Sequence, residues 1–222
     1  MKGIALAASV SVLLVTSGVV YADFTTPVKT GPSNEVPLLG TGNILDTLYG
    51  LANVTRIDDF NAPITDQVWY NPDGSAAAEA KYAGQSQNFG YLLGTSGGSP
   101  TSLFTVTGSG YLSGTPSAAI PSFSPPKLFR FEDTTGGNTW SSKQADNSGD
   151  DHMVTFEITG GPSAGNYVVA FEDKPFGSSD LDYNDLVVEV SGVSPVPVPG
   201  AVLLGAAGLG LVGWLKRKAL RK

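Results

Sequence analysis

The 222-residue sequence contains no cysteine and a single histidine, His152. The lack of cysteine excludes a disulfide scaffold, a cysteine nucleophile and a thiolate metal site. A single histidine excludes the usual zinc site built from several histidines. Charged residues are also scarce, at 15% of the chain, against about 25% in an average soluble protein. The side chains that remain for site chemistry are therefore mostly carboxylates.

Turn-forming residues are abundant, with 28 glycines and 15 prolines. Such a composition predicts many turns and few long helices. Hydrophobic residues still make up 41% of the chain, which argues against disorder throughout, because disordered chains contain too few apolar residues to form a core. Together with the low charge, these values predict an extracellular, turn-rich β protein.

Residues 1–22 have the features of a cleaved signal peptide. Lys2 supplies the positive charge, Ile4–Val15 is apolar, and Val20-Tyr21-Ala22 fits the small-x-small rule for cleavage before Asp23. The alternative is a membrane anchor that is not removed. Either interpretation places the residues that follow outside the cytoplasm.

The C-terminus combines a proline-rich spacer (193–199), an uncharged apolar stretch (200–215) and a basic tail (216–222). The apolar stretch would be about 24 Å long as a helix, at about 1.5 Å per residue. That is short for a bilayer core of about 30 Å, and the basic tail favours a cytoplasmic end. We therefore predict one short C-terminal transmembrane helix.

This order of proline motif, short span and basic tail resembles the PEP-CTERM sorting signal of exported bacterial proteins, with Pro197-Val198-Pro199 in place of Pro-Glu-Pro. The resemblance implies processing by an exosortase-type enzyme at the inner membrane of a Gram-negative bacterium. The precursor would be anchored in that membrane, and the processed protein would reach the cell surface or the extracellular medium. The alternative is a plain single-span anchor.

Between the two ends, short runs with apolar residues at every second position alternate with turn clusters. This pattern predicts an all-β fold, an antiparallel β-sandwich or jelly roll, over residues 40–192. An extended leader (23–39) precedes it, and two short helices are predicted at Asn43–Leu51 and Ala76–Tyr82. The predicted strands are Val54–Ile57, Gln67–Tyr70, Phe89–Leu93, Leu103–Val106, Lys127–Phe131, Val154–Ile158, Tyr167–Phe171 and Leu186–Val190.

Acidic residues dominate the segment from Asp23 to Ser194, which holds twenty of them and only seven basic residues, a net charge of −13. This excludes nucleic acid as a partner, since phosphate binding needs a basic face, and it favours divalent cations. The acidic residues are densest between the last two predicted strands. A hairpin there would bring together Glu172, Asp173, Asp180, Asp182, Asn184 and Asp185.

Such a cluster suits Ca²⁺, which takes about 6–8 oxygen ligands, because unpaired carboxylates would repel one another. The spacing Asp180-x-Asp182-x-Asn184 imitates the first ligands of an EF-hand loop, but Asp185 stands at the glycine position and strands replace the flanking helices. We expect the clustered residues to converge on one Ca²⁺ ion. The alternative is a solvated acidic turn.

Two motifs extend this pattern. Phe171-Glu172-Asp173 is followed by a Gly-Ser stretch and by Asp180-Leu181-Asp182-Tyr183-Asn184-Asp185, and the pair Asp151-His152 precedes an earlier strand. Residues 129–190 are thereby similar to the domain of unknown function 4114 family. The resemblance implies a β-rich domain of exported bacterial surface proteins and adds Asp151 as a further metal ligand. The acidic residues of that family have prompted the suggestion of an enzymatic role.

Three functions are compatible with these features. The first is a non-catalytic, exported cell-surface or extracellular-matrix protein with a β-sandwich that Ca²⁺ rigidifies. The second is a module that binds carbohydrate such as exopolysaccharide, using Ca²⁺ or Trp140, which lies in a Gly/Ser/Asn-rich stretch expected to be exposed. The third is a carboxylate-dependent hydrolase. His152 is expected to be structural, because no nucleophile motif such as Gly-x-Ser-x-Gly is present.

The triplet Phe131-Glu132-Asp133 repeats Phe171-Glu172-Asp173 earlier in the chain. It could mark an internal repeat, or a neighbouring strand end that donates ligands. No Asp-x-Asp segment follows the earlier triplet, so chance recurrence is the preferred interpretation.

Overall fold

The computed structural model describes residues 28–57, 66–70 and 73–196. The predicted signal peptide, the apolar stretch 200–215 and the basic tail 216–222 lie outside the described residues. No helix among the described residues is long and apolar enough to span a bilayer.

The described residues form short strands, one α-helix and two 3-10 helices. Helix α1 spans Ile44–Tyr49, and the 3-10 helices span Leu51–Asn53 and Gln144–Asn147. The strands are β1 (Val54–Arg56), β2 (Trp69–Tyr70), β3 (Gly74–Lys81), β4 (Gln87–Leu93), β5 (Thr101–Val106), β6 (Gly110–Tyr111), β7 (Ser117–Ile120), β8 (Leu128–Thr135), β9 (Asn138–Ser141), β10 (Met153–Ile158), β11 (Tyr167–Phe171), β12 (Leu186–Ser191) and β13 (Ser194–Pro195).

Within the described residues the strands form two sheets, and all their pairings are antiparallel. The first sheet has the order β1-β10-β11-β12-β3-β6, and β7 also pairs with β3. The second sheet has the order β13-β2-β8-β4-β5, and β9 also pairs with β8. The prediction of an all-β, antiparallel fold is confirmed.

The two sheets share one apolar core, here called the inner core. Phe89 of the second sheet stacks on Phe131 with ring centroids 5.4 Å apart and meets Phe171 of the first sheet edge-on at 6.2 Å. The other buried residues of the inner core are Trp69, Ala76, Ala78, Tyr91, Phe104, Val106, Ile120, Phe129, Met153, Val169, Leu186, Val188, Val190 and Val193. Because both sheets contribute to the same core, the arrangement is a β-sandwich.

The opposite face of the first sheet is buried as well, under a layer formed by the N-terminal segment 28–43 and α1. Leu38, Ile44 and Leu45 are fully buried there. They pack in an outer core with Ala80, Val154, Phe156, Ile158, Val168, Ala170, Tyr183 and Val187. The part of the predicted leader that is described, 28–39, contains no helix or strand but supplies Leu38 to this core.

The predicted helix at Ala76–Tyr82 is wrong, because most of this segment lies in strand β3. Alanine has a high helix propensity, but tertiary pairing overrides such a preference. Strand β3 lies between β12 and β7, where small side chains fit against the cores. The other predicted helix, Asn43–Leu51, is confirmed as α1.

We predict that Leu38→Ala lowers the free energy of unfolding by about 2–5 kcal/mol, the cost of removing a buried leucine side chain. Leu128→Ala is the matched control, because Leu128 is 36% exposed, and it should change the free energy by less than about 1 kcal/mol. Urea denaturation of both variants measures the difference. Equal effects would show that the N-terminal layer contributes nothing to the fold.

Candidate metal site in the acidic loop

The candidate site is the loop 172–185 between β11 and β12, here called the acidic loop. The predicted hairpin is confirmed, since Phe171 pairs with Leu186 at its base. The neighbouring strand β10 pairs Met153 with Phe171, which brings the preceding Asp151 and His152 to the start of the loop.

Three carboxylates at the two ends of the loop form the first carboxylate group: Glu172, Asp173 and Asp185. One oxygen from each lies within 4.8 Å of the others. The backbone N–H of Asp173 donates to Asp185 Oδ2 at 2.9 Å, and Gln87 Nε2 donates to Asp173 Oδ2 at 2.6 Å. Gln87 is the first residue of β4, so this group lies where the two sheets meet.

Several oxygen atoms in and beside this group accept no hydrogen bond from the described residues. Both carboxylate oxygens of Glu172, Oδ1 of Asp173 and Oε1 of Gln87 are buried and have no hydrogen-bond partner among the described residues. Burial is the main cause that raises the pKa of Glu172. Burial, with the charges of Glu172 and Asp173, also raises the pKa of Asp185. Buried, unpaired carboxylates of this kind are costly unless a proton or a cation neutralises them.

A second carboxylate group consists of Glu35, Asp180 and Asp182, again with one oxygen of each within 4.8 Å of the others. Glu35 comes from the N-terminal segment, and the other two come from the tip of the acidic loop. Asn184 borders the group, because its Nδ2 donates to Glu35 Oε2 at 3.3 Å. Burial, followed by the charge of Asp180, raises the pKa of Asp182 from 3.8 to about 7.

The residues predicted to surround one ion are thus divided between two adjacent groups. Asp151 belongs to neither group. Its backbone oxygen accepts a hydrogen bond from the Tyr183 hydroxyl at 2.6 Å, and its side chain faces the N–H of Met153 at 3.5 Å. In this structure Asp151 therefore anchors the loop through its main chain.

His152 is buried beneath the loop. Its ring stacks on Trp140 with centroids 3.9 Å apart and planes within 8°, and Nδ1 donates to the backbone oxygen of Glu172 at 2.9 Å. Burial lowers the pKa of His152, which favours the neutral ring. These contacts agree with the structural role expected for it.

Trp140 is not the exposed loop residue that the sequence suggested. It lies in β9 and is half-buried against His152. Its indole Nε1 donates to the backbone oxygen of Asp173 at 2.9 Å. The ring therefore supports the acidic loop and cannot offer a free stacking surface on the face that covers His152.

Three residues near the loop were missed in the sequence. Glu35 and Gln87 carry no local signal, because only long-range packing and strand register bring them to the loop. Asp133 did carry one, the repeated Phe-Glu-Asp triplet. It is fully buried, has no hydrogen-bond partner for either carboxylate oxygen among the described residues, and interacts electrostatically with Asp173. The fold therefore brings this triplet close to the acidic loop, but Asp133 belongs to neither of the two carboxylate groups.

A buried lysine, Lys81, supplies part of the positive charge near the first group. Its Nζ donates to the backbone oxygen of Ala83 at 2.6 Å. Burial lowers the pKa of Lys81, while the charges of Asp173 and Asp185 oppose that change. Lys174, in the loop itself, also interacts electrostatically with Glu172, Asp173 and Asp185. Two ammonium groups cannot neutralise the three carboxylates of the first group together with Asp133.

A polar pocket of about 340 Å³ opens beside the first carboxylate group. It shares Asp173 with that group, and hydrogen-bonding side chains form much of its wall. Its lining residues are Gly84, Gln85, Thr135, Gly136, Asn138, Asp173, Lys174 and Pro175.

Another pair of carboxylates lies away from the acidic loop. Glu79 and Glu189 line a pocket of about 310 Å³ together with Tyr49, whose hydroxyl donates to Glu189 Oε2 at 3.0 Å. Burial, followed by the charge of Glu189, raises the pKa of Glu79 to about 7. A hydrolase that works like a glycosidase needs two carboxylates that flank a cleft. The carboxylates of the acidic loop instead converge in two groups.

Comparison with known proteins agrees with the domain resemblance. Residues 133–193 match the family described as domain of unknown function (DUF4114). Among solved structures, the chain is similar to the Chromobacterium violaceum lectin CV2L in complex with alpha-methyl-fucoside, with 18% sequence identity and a TM-score of 0.33. That similarity covers 56% of this chain and 94% of the lectin chain. No curated protein matches the chain significantly.

Proposed function

We propose that this protein is an exported, non-catalytic cell-surface or extracellular-matrix protein whose β-sandwich is rigidified by Ca²⁺ bound at the acidic loop. The observation that carries the proposal is the first carboxylate group, with its buried oxygens that lack hydrogen-bond partners among the described residues. The burial of these carboxylates argues against a solvated turn, because such a turn would leave them in water.

Calcium suits the chemistry of the group. All its donors are oxygens, from Glu172, Asp173 and Asp185, with Oε1 of Gln87 nearby in the same hydrogen-bonded cluster. Ca²⁺ takes about 6–8 such ligands in flexible geometry, and extracellular modules bind it at about 10⁻⁴–10⁻³ M. Zinc would favour nitrogen or sulfur donors, which this group does not offer.

The position of the first carboxylate group between the two sheets explains how a bound ion would rigidify the fold. Asp173 follows a strand of the first sheet and accepts a hydrogen bond from Gln87 of the second. Trp140, also of the second sheet, donates to the main chain of Asp173. An ion held by this group would therefore tie the two sheets together at one end of the sandwich.

Ca²⁺ should raise the melting temperature of the purified full chain relative to EDTA. At 1 mM Ca²⁺ and the affinities above, linkage gives about 0.4–1.4 kcal/mol per site, or about 1–5 °C for a domain of this size. Glu172→Gln should reduce the gain, because it removes one charged ligand from the first carboxylate group. In EDTA this variant should be as stable as the parent or more so, since like-charge repulsion falls.

The matched control is Asp73→Asn, an exposed carboxylate outside both groups, which should keep the full gain. Differential scanning calorimetry in Ca²⁺ and in EDTA compares the three proteins. If Glu172→Gln keeps the full gain, or if the parent chain shows none, the first group is not a Ca²⁺ site.

Export and sorting rest on the two ends of the chain. If an exosortase-type enzyme removes the tail, protein released from the cell surface should have an intact mass that lacks the signal peptide 1–22 and the basic residues 216–222. Replacing Pro197 and Pro199 by Ala should then leave the precursor in the inner membrane. Recovery of the surface protein only as a membrane-embedded form that still carries the tail would contradict the proposal.

Carbohydrate binding is the second candidate, favoured by the polar pocket beside Asp173. Amide and hydroxyl side chains such as Asn138 and Thr135 hydrogen-bond readily to sugar hydroxyls. If the pocket binds exopolysaccharide, a glycan array should show signals that Asn138→Ala reduces at least tenfold and that the exposed-site control Ser109→Ala leaves unchanged. If the array shows no signal either in Ca²⁺ or in EDTA, carbohydrate binding is excluded and the non-catalytic Ca²⁺-binding function remains.

A further inference from the structure

The second carboxylate group joins two parts of the chain that are distant in sequence. Glu35 lies in the N-terminal segment, whereas Asp180 and Asp182 lie at the tip of the acidic loop. Main-chain contacts already hold the two parts together, because the N–H of Lys29 donates to the backbone oxygen of Leu181 at 2.8 Å.

Asn184 provides an independent sign of a ligand at this group. Its side chain is fully buried, and its Nδ2 donates to Glu35 Oε2 at 3.3 Å and to the backbone oxygen of Val36 at 3.2 Å. The bond to Glu35 places the amide head against the group, yet Oδ1 of Asn184 has no hydrogen-bond partner among the described residues. An amide oxygen is a common ligand of Ca²⁺.

Two of the three carboxylates also have an oxygen without a hydrogen-bond partner among the described residues. Oδ2 of Asp182 and Oδ1 of Asp180 are buried without a hydrogen-bond partner among the described residues, and Asp182 is fully buried. No ion pair within the described part of the chain involves either residue or Glu35. Three converging carboxylates and an amide oxygen form a hard, all-oxygen donor set, which suits a divalent cation.

Gly31 shows how tightly the N-terminal segment covers this group. Its φ is +65°, and a Cβ at this position would lie 1.8 Å from Asp182 Oδ2. Only glycine fits there without displacing the carboxylate. The main chain of the segment therefore passes directly over the group.

We infer that Glu35, Asp180 and Asp182, with Asn184, form a second Ca²⁺ site, separate from the first carboxylate group. This site fastens the N-terminal segment 28–43 to the acidic loop. The same segment supplies Leu38 to the outer core. Ca²⁺ at this site would couple the N-terminal layer to the loop, and the coupling would become effective at about millimolar free Ca²⁺, the range in which extracellular modules bind it.

Native mass spectrometry of the purified full chain counts the sites. The parent should bind two Ca²⁺ ions, Glu35→Gln and Glu172→Gln one each, the double variant none, and the control Asp73→Asn two. Glu35→Gln is a mild change, because Glu35 is only partly buried and glutamine can still accept the hydrogen bond from Asn184. If the parent binds one ion that Glu172→Gln loses and Glu35→Gln keeps, the second site is wrong and the proposed function stands. If the parent binds none, both are wrong.

Trypsin cleavage after Lys29 tests the fastening itself. At free Ca²⁺ tenfold above Kd, the factor 1 + [L]/Kd is about 11, so cleavage that follows local opening should slow about tenfold relative to EDTA. Glu35→Gln should lose this protection and be cleaved at the parent's EDTA rate in both conditions. Glu172→Gln should keep the protection. Cleavage after Lys29 that does not respond to Ca²⁺, or protection that survives in Glu35→Gln, would overturn the inference.

Discussion

The constraint that shapes this end of the molecule is the cost of placing several carboxylates together, out of water, where the two sheets meet. A buried, unpaired carboxylate is strongly disfavoured, and Glu172 and Asp133 are both fully buried. The surrounding contacts position these groups, and the charges of Lys81 and Lys174 neutralise them only in part. Gln87 gives one hydrogen bond to Asp173, and Trp140 bonds only to its main chain. The fold thus holds an electrostatic imbalance in place, and this imbalance is the basis of the proposed cation binding.

The three-layer arrangement explains how such an imbalance can be buried. The first sheet is covered by the second sheet on one face and by the N-terminal segment with α1 on the other. A loop at the end of this sheet is therefore shielded from two sides, which raises the pKa of Asp182 to about 7, with burial as the main cause. In a two-layer sandwich the loop tip would face water on its outer side, and the same residues would form an ordinary acidic turn.

Local sequence patterns predicted most strands and the acidic loop. The features that they did not predict depend on contacts between residues that are distant in the sequence. The short apolar runs Tyr167–Phe171 and Leu186–Val190 located both strands and hence the loop between them. Both strands contribute side chains to the inner core and to the outer core. Glu35 could not be found in this way, since nothing in its neighbourhood indicates a contact with Asp182. The helix predicted at Ala76–Tyr82 was wrong for a related reason. Its alanines suit the crowded strand β3, but their intrinsic propensity favours a helix.

The division of the loop into two groups follows from its own alternation. Asp180, Asp182 and Asn184 lie on the side of Glu35, whereas Leu181 and Tyr183 between them pack into or against the outer core. Leu181 and Tyr183 have φ values of 60° and 55°, a conformation that costs roughly 1–3 kcal/mol per non-glycine residue. Burial of the Tyr183 ring and the bond from its hydroxyl to Asp151 offset that cost.

The two apolar residues thus turn the polar residues next to them toward the N-terminal segment. The strands fix the two ends of the loop and keep Glu172 and Asp185 at the junction of the sheets. The motif Asp-x-Asp-x-Asn is therefore a packing pattern as well as a candidate ligand pattern, which is why it occurs here between strands and without the glycine of an EF-hand.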